Sequence, residues 1–236
     1  MRSPRRKLWT NDCRKCVIMS SLRAAGVPVS TIQASCEGMW LNRVKKRQLL
    51  YSEGNGATHL YAIRKGKVKI LKVDASGRPR LTAILESGDL FGFEAIFDDR
   101  YDSFAEALTD CELCLASADY FKRLVASEPK IATDLARYLH HQLSRTRDRQ
   151  AAVTATGATA KLAGYLLHSL EWTDAADDDR LAARDLSLAD LGGILGISPE
   201  TACRVLSNLK TKRIVETLPA GILVRDIDRL RRMARA

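Results

Sequence analysis

Two groups of residues combine a reactive type with a telling spacing. The first is the cysteines, six in all: Cys13, Cys16, Cys36, Cys111, Cys114 and Cys203. Cys13 and Cys16 stand in the run Asp12-Cys13-Arg14-Lys15-Cys16. Paired thiolates at this interval fit zinc, an iron–sulfur cluster or a redox dithiol. The basic start, Met1 to Lys7, is followed by no apolar stretch of a secretory signal, so a cytoplasmic protein is expected. Disulfides do not persist there, which turns the cysteines toward metal or redox chemistry. The second group is Ser198-Pro-Glu-Thr-Ala-Cys-Arg204. Arg204 can give two parallel hydrogen bonds to guanine in a major groove, and Glu200 can accept from a cytosine amino group and brace Arg204 one turn on. Ser198, Thr201 and the helix start can hold a phosphate. Only four histidines exist, and His140 and His141 fall on a long helix. No second catalytic constellation accompanies the thiols, so the expectation is that the chain is not an enzyme. A thiol oxidoreductase using Cys13 and Cys16 is the rival.

The elements that must position these groups follow from periodicity. Ser187-Leu-Ala-Asp190 has capping-box spacing and opens a helix with apolar Leu188, Leu191, Ile194 and Leu195. Gly196 permits a tight turn, Ser198 caps the next helix and Pro199 suits its first position. In that helix Ala202, Val205, Leu206 and Leu209 fall on one side, and Glu200, Cys203, Arg204 and Ser207 on the other. Helix, glycine turn and capped helix make a DNA-binding helix-turn-helix pattern, against an ordinary helical hairpin with a charged outer face as the plainer reading. Arg213–Leu218 and Ile222–Arg225, joined across Pro219-Ala-Gly221, add the strand pair of a wing.

Upstream, short apolar runs at Leu60–Ile63, Val68–Val73, Leu81–Leu85 and Leu113–Leu115 alternate with Gly, Asn, Asp and Ser turns, the pattern of a small antiparallel barrel or jelly roll. Ile131, Leu135, Tyr138, Leu139 and Leu143 then recur at helical spacing within a helix Ile131–Gln150, which can pack on its own barrel or on a twin helix. A second helix is expected over Ala160–Leu170, a short one over Ser30–Trp40, and an acidic loop over Asp174–Asp179. The implied fold is α+β: a cysteine-bearing arm over 1–40, a jelly-roll sensor over 41–120, a long helix over 121–158 and a winged helix-turn-helix over 159–236. The composition agrees. With 236 residues, 46% hydrophobic and 28% charged, the chain can bury a core, and no apolar run is long enough to cross a bilayer. A net charge of +10 suits a nucleic-acid partner.

Tyr61-Ala-Ile-Arg-Lys-Gly-Lys-Val-Lys69, Gly88-Asp-Leu-Phe-Gly-Phe-Glu-Ala-Ile96 and Ser103-Phe-Ala-Glu-Ala-Leu108 resemble the sensor barrel of the CRP/FNR regulators. Pro199-Glu-Thr-Ala-Cys-Arg204 resembles their recognition helix. The resemblance runs from about Cys13 to Val224. It implies a jelly roll, a dimerisation helix twinned across a two-fold axis and a winged helix-turn-helix, with double-stranded DNA and RNA polymerase as partners and no membrane. Ser103-Phe104 stands where the cyclic-nucleotide branch carries an Arg-Ser pair, and a buried phosphate without its arginine is poorly compensated. The oxygen-sensing branch holds a 4Fe–4S cluster. Cys13 and Cys16 match its first pair and Cys114 its barrel cysteine, so the resemblance implies Cys13, Cys16, Cys36 and Cys114 as ligands. Cys36 is the remaining N-terminal candidate and Cys111 its rival, which joins Cys114 only if a turn or bulge intervenes, because strand residues three apart face opposite sides. Zinc is the lesser alternative. A CRP/FNR-type regulator sensing a small ligand, haem or nitric oxide, or using its cysteines as a thiol switch, is the alternative function. That branch usually carries serine at the place of Cys203, within a Glu-x-x-Ser-Arg pattern that Glu200 and Arg204 otherwise match.

Overall fold

The computed structural model describes residues 39–74, 77, 79–127, 129–153, 157–171, 180–183 and 185–235. Cys13, Cys16, Cys36, the arm, most of the expected helix over Ser30–Trp40 and the acidic loop lie outside the described residues. Met39 and Trp40 correct the end of that helix, because both belong to the first strand. The described residues fall into two compact units that divide between His141 and Gln142.

The first unit is a pair of four-stranded antiparallel sheets. Strands β1 (Met39–Val44), β8 (Cys111–Ser117), β3 (His59–Lys65) and β6 (Leu90–Phe91) form one, in the order β1-β8-β3-β6. Strands β2 (Leu49–Tyr51), β7 (Phe104–Ala107), β4 (Val68–Val73) and β5 (Pro79–Leu85) form the other, in the order β2-β7-β4-β5. The expected runs are all strands, most of them longer by one or two residues at an end. Tyr61, Ile63, Leu113 and Leu115 point between the sheets, into a core shared with Tyr51, Val68, Phe91 and Tyr101. The intervening Leu60, Ala62 and Ala116 face the other way and are covered by helices, so β3 is buried on both faces and its sequence reads as an unbroken apolar run.

The covering helices are α1 (Glu94–Phe97), α2 (Ala118–Ser127) and α3 (Pro129–Val153). The helical period that begins near Tyr120 therefore belongs to two helices rather than one. Pro129 has no amide hydrogen to continue α2 and a backbone angle suited to starting α3, so the chain restarts there. Ile131 is fully buried against the barrel, and Leu135 and Tyr138 pack on the same cluster, while Leu139 and Leu143 stay exposed. The apolar residues of α3 are thus divided between its own barrel and solvent.

The second unit contains α4 (Ala158–Glu171), α5 (Leu188–Leu195), α6 (Pro199–Thr211) and α7 (Ile227–Ala234), with a three-stranded sheet ordered β10 (Val215–Leu218), β11 (Gly221–Val224), β9 (Leu181–Ala182). Leu162 and Leu166 from α4, Leu195 from α5, Leu209 from α6, Val224 from the sheet and Leu230 from α7 close one core. The wing turns over Pro219 and Ala220, and Gly221 already pairs with Leu218 in β11. Strand β9 is too short, at two residues, to carry a sequence signal, whereas α7 had one in the Asp226 cap and the spacing of Ile227, Leu230 and Met233.

Candidate functional site

The helix-turn-helix is built locally. Ser187 accepts from the Asp190 amide at 3.1 Å while Asp190 accepts from the Ser187 amide at 3.0 Å, a reciprocal capping box at the start of α5. Gly196 ends that helix in the left-handed conformation, φ 62°. Gly192 matters as much, because a side-chain carbon there would come within 2.8 Å of the Ile197 carbonyl. Its absence lets the turn lie against the first helix; the Gly192-Gly193 pair was the available signal. Lys161 of α4 donates to the Leu195 carbonyl at 3.4 Å, satisfying the α5 C-terminus.

Ser198 caps α6, accepting from the Thr201 amide at 3.2 Å and donating to its hydroxyl at 3.1 Å. Pro199 fills the first position. Ala202, Val205, Leu206 and Leu209 are buried, and Glu200, Cys203, Arg204, Ser207 and Asn208 are exposed. The division read from the sequence is therefore the one in the fold, with Asn208 added to the outer face. One expected contact is not made. Glu200 turns back on the helix start, where its own amide and the Ser198 side chain hold its carboxyl below the usual range. The N-terminal amides and dipole compete for the carboxylate and win over an exposed ion pair with Arg204. Arg204 is left facing solvent. In the wing, Arg225, just past β11, donates from Nε at 3.0 Å and Nη2 at 2.6 Å to Glu216 Oε2 of β10.

In the first unit, the cysteines of β8 face opposite sides. Cys111 enters the core between the sheets, where its Sγ lies 3.2 Å from the Lys67 carbonyl and 3.3 Å from that of Thr109. Burial pushes its thiol up, so it stays protonated as a hydrogen-bond donor and fits a metal-ligand role poorly. Cys114 is half-buried on the helix-facing side, at the edge of the apolar core of Leu60, Ala62, Ala116, Phe121 and Ile131, on which Phe93, Leu135 and Tyr138 also pack. It pairs with Leu41 of β1 and with Ala62 of β3. Cys36 precedes the first residue of β1, Met39, by three positions, a span of at most about 11 Å. An all-thiol donor set suits an iron–sulfur group. Among the described residues no group of three or more His, Cys, Asp or Glu side chains could hold a metal ion.

Other polar residues of the barrel lie close to one another. Ser103 is buried beside Tyr51 and Asp102. Phe104 pairs with Leu71 in the sheet. The Lys72 ammonium lies 2.6 Å from Asp102 and holds that carboxyl below its usual range. No described helix is long and apolar enough to cross a membrane.

Residues 41–128 match the family model described as a cyclic nucleotide-binding domain, and residues 160–233 match the Crp-like helix-turn-helix domain. The chain is 29% identical over 191 residues to the regulatory protein HlyX of Actinobacillus pleuropneumoniae, covering 79% of this chain and 78% of that protein. It is 27% identical over 173 residues to the fumarate and nitrate reduction regulatory protein of Vibrio cholerae, covering 73% of this chain and 69% of that one. The structure of FixK2 from Bradyrhizobium japonicum superposes with a TM-score of 0.72 at 25% identity, covering 84% of this chain and 98% of that one.

Proposed function

We propose that the chain is a DNA-binding transcriptional regulator of CRP/FNR type, not an enzyme, and that it acts as a homodimer on a palindromic operator under the control of a 4Fe–4S cluster. The observation that carries the DNA half is helix α6. It is capped and packed along one side, and it turns Glu200, Cys203 and Arg204 outward with no buried partner to hold them. Arg204 would donate two hydrogen bonds to a guanine edge. Glu200, fixed at the helix start, would accept from a cytosine amino group, and Cys203 would meet the base between them. Ser198 and Thr201, with the first-turn amides, would hold a phosphate and set the register. The exposed Leu139 and Leu143 support a twin helix, which would place two α6 helices about one DNA turn apart, roughly 34 Å. RNA polymerase is the proposed protein partner.

The control half rests on Cys13, Cys16, Cys36 and Cys114 as ligands. Relatives named for anaerobic and for fumarate and nitrate regulation support it, as does the protonated, core-bound state of Cys111. The bound cluster would supply an oxygen-labile centre that ties the N-terminal arm to β8. What the chain itself does is offer Cys114 on the face that packs against the long helix.

The test is an oxygen-free preparation assayed for iron and acid-labile sulfide, with operator affinity measured before and after air. Stoichiometric iron and sulfide with affinity lost in air is the expected result; zinc alone, or no metal with unchanged affinity, removes the cluster. The same preparation should show no change in unfolding midpoint with saturating cyclic AMP. With Ser103-Phe104 where the cyclic-nucleotide branch carries its Arg-Ser pair, a cyclic phosphate would lack that arginine. A clear upward shift would move the reading to a small-ligand sensor.

A further inference from the structure

One cross-strand row runs Leu41–Cys114–Ala62–Leu90 through strands β1, β8, β3 and β6. At its end the Leu90 amide leaves the sheet and donates to the Tyr138 hydroxyl of α3 at 2.8 Å. That hydroxyl in turn lies 3.3 Å from Asp89 Oδ1 and 3.4 Å from the Leu90 carbonyl. Asp89 is buried, and its other oxygen accepts the Glu86 amide at 2.8 Å, closing the turn that leads into the row. Phe93 and Ile96, which follow Leu90, pack on the same cluster as Cys114, Leu135 and Tyr138. A tyrosine on a helical surface stripe would ordinarily be packing alone. Here its hydroxyl accepts the Leu90 amide and has Asp89 Oδ1 and the Leu90 carbonyl as alternative acceptors for its one proton, where an unmatched amide would be costly.

We propose that Tyr138 is the positioning residue that couples the Cys114 row to the long helix, so that a shift of β8 moves α3 instead of dissipating in the turn at Gly88–Leu90. The inference deepens the regulatory reading above and rests on it for what happens at Cys114. Two strand spacings separate Cys114 from Leu90, about 10 Å. The sheet hydrogen bonds make that distance stiff, and the Tyr138 contacts are the point where it meets the helix. A phenylalanine would keep the ring on the same apolar cluster and remove the hydroxyl, at some cost in stability because the Leu90 amide loses its acceptor, so the coupling is read from the cycle rather than from the single variant.

The experiment is a double-mutant cycle in the full chain, with Cys114→Ser, Tyr138→Phe and both together, read by operator affinity of oxygen-free protein and by amide hydrogen exchange over residues 131–138. Coupling predicts that Cys114→Ser weakens operator binding by roughly 5-fold or more when Tyr138 is present, and by less than about 2-fold when Tyr138→Phe is also present. Equal factors in both backgrounds overturn the proposal and leave Tyr138 a stability residue. If Cys114→Ser changes nothing in either background, the cluster reading has failed, and exchange decides the coupling alone. Faster exchange at Leu90 together with residues 131–138 in Tyr138→Phe then sustains it, and faster exchange at Leu90 only overturns it.

Discussion

Helix α6 and strand β8 both combine apolar residues with polar or thiol groups, and they dispose of the second set in opposite ways. On α6, Glu200, Cys203, Arg204 and Ser207 face solvent, and the buried side is entirely apolar. On β8 both sides are covered: Cys111 donates to carbonyls inside the core, and Cys114 packs on the apolar core that the helices share with the sheet. A surface that meets its partner from outside needs only a rigid backing, and its polar groups can wait in water. On the proposed reading, a surface that passes a signal must already be in contact with the element it moves, which fits the covered β8 as the exposed face fits α6.

The most severe challenge to this contrast is to remove the backing of α6 without touching its face. Leu209 is fully buried, and Leu209→Ala should lower unfolding stability by about 2–5 kcal/mol in a urea titration. A loss below about 1 kcal/mol would mean that α6 is not held by its apolar side. The complementary change is Arg204→Ala. It should leave the unfolding midpoint where it was and cost about 1–3 kcal/mol of operator affinity, concentrated at one base position. An equal loss on every duplex, with a reduced salt slope, would make Arg204 a phosphate contact and blur the contrast with the rest of the basic surface.

The same contrast governs what could be seen before the fold was known. The caps at Ser187 and Ser198, the turn glycine and the two sides of α6 all lie within 23 residues, and each is decided by neighbours in sequence. Local rules therefore place them correctly. Gly192 escaped because its constraint, the approach of the Ile197 carbonyl, is a packing fact. In the barrel the grouping is non-local. Tyr138 reaches Leu90 across 48 positions, and Lys67 meets Cys111 across 44. Nothing in the run Leu113-Cys-Leu115 says which side the helix will cover, and only the resemblance to a known sensor singled out Cys114. The break at Pro129 was legible in principle, since proline seldom continues a helix, but the amphipathic period on either side of it concealed the restart.

Smaller changes sharpen the comparison at α6 itself. Ser198→Ala removes the oxygen that accepts the Thr201 amide and should cost about 1 kcal/mol of stability in thermal or urea unfolding. Ser198→Asp should recover most of it, because a carboxylate caps equally well, but would weaken DNA binding by placing a negative charge where the phosphate is expected. The least disruptive change is Cys203→Ser. Cys203 is exposed and makes no contact that supports the helix, so stability should shift by less than about 0.5 kcal/mol. A hydroxyl donates a stronger hydrogen bond than a thiol and is shorter, so the effect belongs to recognition: a change in preference of about 1 kcal/mol or less, confined to the base between those met by Glu200 and Arg204. Operator selection with the two proteins in parallel would show it. Preferences that differ at several positions would instead mean that Cys203 helps to set how α6 seats in the groove, and that the outer face of this helix is less independent of its backing than its burial pattern implies.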